Sequence, residues 1–272
     1  MGCTIPYDPF LLRRKLTRCI MVPDYSLAKE THTMFNANEY SEGVKAGTES
    51  CRNRYEAVLV YLANTVVGIR KTRESGFQGY LSELNGQLPI RGDLLFELTY
   101  PDVVAEFEAL LVAVKALLDA LCAHLLAARV GNSPRGFNKD GSDVGGRVLN
   151  FLRNESISRL PRRDDLVRLI EDHKATWINE LVGMRDRITH SGELDCFIGF
   201  WMVAKGGRAA PYAADDVYDP LLRLDGGLQT VEEYALSLRS SVGQFTAEFR
   251  DILYPPEERQ AILASGRRAK PA

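Results

Sequence analysis

From Pro101 onward the chain runs through its most helix-favouring segment, Asp102 to Arg129, and this segment constrains the fold more than any other. Acidic residues come early (Asp102, Glu106, Glu108) and Arg129 comes late, the order a helix dipole favours, and Pro101 suits a first turn. Leu110, Val114, Leu117, Leu118, Leu121, Leu125 and Leu126 make a broad apolar face. Such a face has to be covered, so the segment is expected at the centre of a mainly α fold. His124 sits beside it and reads as structural, because a lone histidine has no obvious partner.

The segments around it supply candidate neighbours. A helix is expected over about 49–75, where Tyr55, Val58, Leu59, Leu62, Val66 and Ile69 recur at steps of three and four. Residues 76–99 have the glycine-rich composition of a connector, although Leu94 to Leu98 must bury something, and Leu16 to Val22 has strand-like content. Val130 to Gly141 reads as a loop whose glycines fit no phosphate-binding pattern. A short helix is expected over Asp143 to Arg153, and Asp164-Asp165 opens a long one. Leu194 to Val203 and Val217 to Leu224, separated by Gly206-Gly207 and Pro211, read as a hairpin or an extended excursion. Thr230-Val231-Glu232-Glu233 has the form of a capping box, followed by the stripe Tyr234, Leu238, Val242, Phe245, Phe249, Ile252 and Leu253. Pro255-Pro256 ends that helix, and 255–272 is expected to be a flexible basic tail.

Composition narrows the chemistry. The 272 residues suit one large or two small domains. A net charge of -2 gives no global field for a polyanion, so any nucleic-acid contact has to come from a local patch. Five cysteines without a CxxC pair favour reduced thiols over a disulfide framework. Phe10-Leu11-Leu12 is too short for a signal peptide, Pro6 spoils a myristoylation pattern, and no apolar run approaches the roughly 20 residues of a bilayer span. The expectation is a cytoplasmic protein with no membrane partner.

The ionisable groups concentrate in two places. Arg159, Arg162 and Arg163 form a basic cluster, either a phosphate-contacting surface or a solvated one paired with Glu155, Asp164 and Asp165. Further on, Asn179 to Gly192 carries an apolar pattern into Arg185, Asp186, Arg187 and His190 and then stops at glycine. Leu166, Ile170, His173, Trp177, Leu181, Met184 and Ile188 are expected to form the buried stripe of this helix. At 100° per residue, Asp186 and His190 then point about 140–180° away from that stripe, with Arg185 on its flank. Asp186 and His190 share one side, where the carboxylate is expected to orient the imidazole. Arg168 and His173 repeat the Arg-x4-His spacing, but Leu169 follows that arginine and His173 lies on the apolar stripe.

A long first helix (102–129), a short second (143–153), a long third ending in Arg-Asp-x3-His and a capped last helix (230–253) together resemble the HEPN domain family. The resemblance covers 101–254 and leaves 1–100 as an N-terminal extension. It implies an antiparallel helical bundle and a homodimer whose two motifs meet in one cleft. It also implies metal-independent RNA cleavage by 2′-hydroxyl attack without cofactor, often in toxin–antitoxin or antiphage systems with a corresponding partner. On that reading Arg185, Asp186 and His190 are the catalytic group and Arg187, Arg159, Arg162 and Arg163 contact RNA. The competing readings of the same residues are a non-catalytic module that holds a nucleotide or partner, and a set of surface ion pairs with His190 as a helix cap.

Overall fold

The computed structural model describes residues 25–73, 94–98, 101–132, 134, 136–154, 160–191, 197–198, 200–207, 210–218, 221–224 and 227–268. The strand-like stretch at 16–22, the connector at 76–93, Arg159 and residues 269–272 lie outside them. The fold is mainly α. Helix α1 spans Tyr25–Met34 and α2 Glu42–Lys71, starting earlier than its apolar period implied. Helix α3, Pro101–Ala120, continues through a π-helical stretch, Leu121–Leu126, to a last turn Ala127–Val130. Gly131 closes it in the left-handed conformation (φ 75°). Helix α4 is Gly146–Arg153; α5, Arg163–His173, runs through a π-helical turn, Lys174–Ile178, into α6, Asn179–Ser191.

Four long rods close a bundle: α2 packs along α3, α3 against α6, and α7 (Val231–Leu253) against both α5 and α2. The segment opening at Pro101 is central, as its composition required: Phe107, Leu110, Leu111, Val114, Leu117, Leu121, Leu125 and Leu126 are buried. At Gly47 the backbone of α2 comes so close to α3 that a Cβ there would stand 2.9 Å from His124 Cβ. His124 therefore marks a point of close helix approach.

One continuous core runs from Phe35 to Tyr254, so no boundary near residue 100 separates two cores. The helix expected in an N-terminal extension is a full member of the bundle. The C-terminal end is also more ordered than a flexible tail: Pro256–Arg268 forms α8, with proline at its first position. Arg259 is buried there, with its guanidinium on Glu39 (2.7 Å), Asp251 (2.7 Å) and the Tyr254 carbonyl (3.0 Å). Arg129 reaches across to Glu258 with two hydrogen bonds and lies over the Tyr254 ring. These contacts explain why a basic, proline-headed segment folds back instead of fraying.

The membrane expectation also needs a correction. Asp102–Val130 is long and apolar enough to cross a bilayer, with a mean hydropathy of 2.0 over its most apolar window, 67% of which is buried inside the protein. The bundle takes up that apolar surface, and Lys115 is neutralised within the helix by Asp119 at 2.6 Å.

Between α6 and α7 the excursion contains two small antiparallel sheets. In one, β3 (Phe200–Gly207) pairs with β4 (Ala210–Tyr218) as a hairpin, and β1 (Leu94–Leu98) lines the other edge of β3 from Leu94↔Ala204 to Leu98↔Phe200. The strands run straight through Gly206-Gly207 and Pro211, residues whose composition reads as loop. In the other sheet, β2 (Phe197–Ile198) pairs with β5 (Leu221–Leu224), which pairs with β6 (Gly227–Thr230). Strand β6 delivers Thr230 to the start of α7, where the capping box forms as its sequence specified.

Candidate functional site

The rod α5–π-turn–α6 carries every charged group singled out by sequence that the structure describes, but not in one place. Arg162 and Arg163 stand at its N-terminal end and Arg185 to His190 at its C-terminal end, about 33 Å apart at 1.5 Å per residue. Within one chain they are therefore two sites. The N-terminal cluster is largely neutralised by its neighbours: Arg162 Nε donates to Asp165 at 3.0 Å and Arg163 Nε to Asp164 at 3.1 Å. Arg162 caps the helix in the left-handed conformation (φ 56°), an unusual backbone for arginine. Asp164 and Asp165 meanwhile complement the helix dipole in the first turn. The solvated, paired reading of this cluster fits the geometry.

At the other end the π-helical turn changes which residues face inward. Leu166, Ile170, Trp177, Leu181 and Met184 are buried as expected, but Leu169, Ile178 and Val182 are buried too, and Ile188 only partly. A π-turn holds one more residue than the α-turn it replaces, so everything after it is rotated relative to a straight helix. Arg185 is turned inward far enough that its Nε is buried and has no hydrogen-bond partner. Its Nη1 donates to Asp186 Oδ1 at 3.0 Å.

Asp186 lies on the side of the helix that carries His190, but its oxygens are taken by other partners than the imidazole. Its second oxygen pairs with Lys139 Nζ at 2.5 Å, so both oxygens are held by cations. Partial burial alone would raise its carboxyl above the ordinary 3.8; the hydrogen bonds and charges of Lys139 and Arg185 outweigh that and hold it lower. His190 is exposed in the last turn of α6 on the same helical side as Asp186, and among the described residues it has no hydrogen-bond partner. Arg187 is exposed beside it.

Lys139 was missed because it sits in a loop of unremarkable composition. That loop is in fact built: Asp119 accepts the Phe137 backbone N–H at 2.7 Å, Phe137 is buried, and its ring lies against Gly145, where a Cβ would stand 2.5 Å away. Asp140 and Asp143 exchange backbone hydrogen bonds, and Asp143 accepts Lys174 Nζ at 2.6 Å. An aromatic residue enclosed by glycines between two helices is the only sequence signal of this order. Chain-wide comparison adds no guide to this site. No family model, curated protein or solved structure matches the chain.

The second Arg-x4-His pair has the reverse arrangement. His173 Nδ1 accepts the Trp177 indole N–H at 2.7 Å, and its ring packs edge-on against Trp177 and Phe245. Burial holds this imidazole below its ordinary 6.5, against the pull of Glu248 and Asp172. Of the cysteines, Cys51 and Cys122 are buried thiols outside any disulfide; Cys3, Cys19 and Cys196 lie outside the described residues. Among the described residues no group of three or more His, Cys, Asp and Glu side chains is placed to hold a metal ion.

Proposed function

We propose that the chain is a metal-independent endoribonuclease of the HEPN type, acting as a homodimer in the cytoplasm, with Arg185, Asp186 and His190 of both copies in one cleft. The observation that carries the reading is the presence at one helix end of an exposed imidazole and an arginine Nε that, among the described residues, have no hydrogen-bond partner. Attack of a ribose 2′-hydroxyl on the adjacent phosphorus breaks the bond to the 5′-oxygen and leaves a 2′,3′-cyclic phosphate. One group must take the hydroxyl proton and another must protonate the leaving oxygen. An imidazole does either near neutral pH, and two copies supply both roles. Arg185 has donors for the phosphorane charge, and Lys139 adds a second cation beside it. Asp186, held ionised by both, fixes Arg185 and Lys139 in place.

A second reading is favoured by one observation: both Asp186 oxygens are engaged, so the carboxylate acts as a clasp between helix and loop. On that reading the helix end binds a phosphate-bearing partner without chemistry. The experiment that separates the two is incubation of the purified chain with tRNA and mRNA in EDTA, followed by analysis of the new ends. Cleavage with 2′,3′-cyclic phosphate termini that disappears in His190→Ala supports the nuclease. Intact RNA that is nevertheless bound by the chain supports the clasp.

A further inference from the structure

The exposed side of α6 extends well beyond the motif. Asn179, Gly183, Asp186 and His190 follow one another at steps of four, three and four, which places them in a single stripe about 17 Å long. Gly183 leaves that stripe open: a Cβ built there meets nothing within 4 Å. The built loop runs along the same rod, tied to it by Lys174–Asp143 at 2.6 Å and Lys139–Asp186 at 2.5 Å. At the π-turn end the stripe opens into a cleft of about 580 Å³ between Lys174–Glu180 and the strands β5 and β6. Its lining joins two side-chain amides, Asn179 and Gln229, with the carboxylate of Glu180 and the apolar surface of Trp177, Leu224 and Leu228. Leu228 is 60% exposed, the most exposed large hydrophobic residue described.

We infer that this stripe is a track for the single-stranded RNA flanking the scissile phosphate, and that the cleft takes one of its unpaired nucleobases. The choice of RNA rests on the nuclease reading of His190. Amides of Asn and Gln match the paired donor and acceptor on a base edge, and the exposed Leu228 in the cleft wall offers an apolar surface to a base face. The stripe brings the strand past Lys139 before it reaches His190, so a cation meets its backbone one step ahead of the reacting phosphate. A duplex does not fit, because only an unpaired base presents both face and edge to the cleft.

The test uses a single-stranded 2′-O-methyl oligoribonucleotide, which cannot be cleaved by 2′-hydroxyl attack, and reads its affinity by fluorescence anisotropy. Gly183→Leu fills the open stripe without displacing a neighbour, and Asn179→Ala with Gln229→Ala removes the amides. Each is expected to weaken binding by about tenfold, the loss of roughly one stacked and recognised base. Arg168→Ala, on an exposed side chain outside both the stripe and the cleft, is expected to bind as the wild type does. Thermal melting confirms that each variant is folded. Wild-type affinity in both track variants overturns the inference, as does wild-type binding to duplex alone. If the track variants lose affinity but the wild type cleaves nothing, the track stands and the nuclease reading falls.

Discussion

On one helical rod the Arg-x4-His spacing occurs twice, and the two copies are arranged in opposite ways. In the first, His173 is packed among aromatic rings with its Nδ1 engaged, while Arg168 is outside, 71% exposed and 3.6 Å from Asp165. In the second, Arg185 is turned inward with a buried Nε and His190 stands in the open. A separation of five residues places two side chains about 140° apart around a helix, so burying one exposes the other. The π-turn between the copies decides which is which, because it rotates the second copy relative to the first. The spacing alone therefore carries no chemistry. What matters is which member keeps a free proton-transfer atom at the surface.

The sharpest way to break this comparison is to remove the exposed member of each copy in turn. His190→Ala is expected to lower the single-turnover rate of RNA cleavage by about 100-fold or more, the usual worth of a general acid or base. Arg168→Ala, on an exposed side chain with a loose ion pair, should leave that rate within a few-fold of wild type. Equal losses in the two variants would end the distinction drawn between the copies.

Much of this contrast was legible in the sequence, and its failures share a cause. The leucine after Arg168, the apolar stripe through His173 and the glycine stop after His190 were enough to rank the copies. The central helix, the capping box at Thr230 and the mainly α class were equally readable, since each depends on local periodicity or a four-residue cap. What escaped depends on contacts distant in sequence. The π-turn leaves no composition signature, and the Lys139 that pairs with Asp186 comes from another segment. Likewise the docking of α8 rests on Arg259 meeting Glu39, a partner across nearly the whole chain.

The packed histidine of the other copy, His173, should also couple folding to pH. The folded His173 imidazole titrates below 6.5 because burial opposes its charge, whereas the unfolded one takes its proton near 6.5. Through that window the unfolded chain binds more protons, so the stability this site contributes is present above pH 6.5 and declines as the pH falls below it. Denaturant titrations at pH 7 and pH 5 are expected to show a smaller pH-dependent loss in His173→Gln than in wild type. That variant should also lose about 1–3 kcal/mol at pH 7 if the Trp177 N–H is left without an acceptor.

Lys139 offers a finer test of the second copy. With Lys139→Met, the carboxyl of Asp186 loses the ammonium that pairs with its Oδ2 and its titration should move up towards 3.8, as followed by carboxyl-carbon NMR. The normal, depressed value contributes stability above that range, lost as pH falls through the folded value, so the stability of the variant should fall less steeply with acid than that of the wild type. An unchanged Asp186 titration would show that Arg185 alone holds the carboxylate.

The smallest expected effect concerns Gly183, midway along the open side of α6. A glycine inside a helix costs about 0.5–1 kcal/mol relative to alanine, because it loses more backbone freedom on folding. A Cβ at Gly183 meets nothing, so no packing term opposes the substitution. Gly183→Ala should therefore stabilise the fold by about that amount, visible as a rise in the melting temperature. At Gly47 the same change should destabilise, since a Cβ there stands 2.9 Å from that of His124. A glycine kept on an open helix face at a cost in stability is what an approaching strand requires, and a methyl group is small enough to separate the two effects. If Gly183→Ala gains stability and keeps RNA affinity while Gly183→Leu loses affinity, the position is limited by the room a ligand needs.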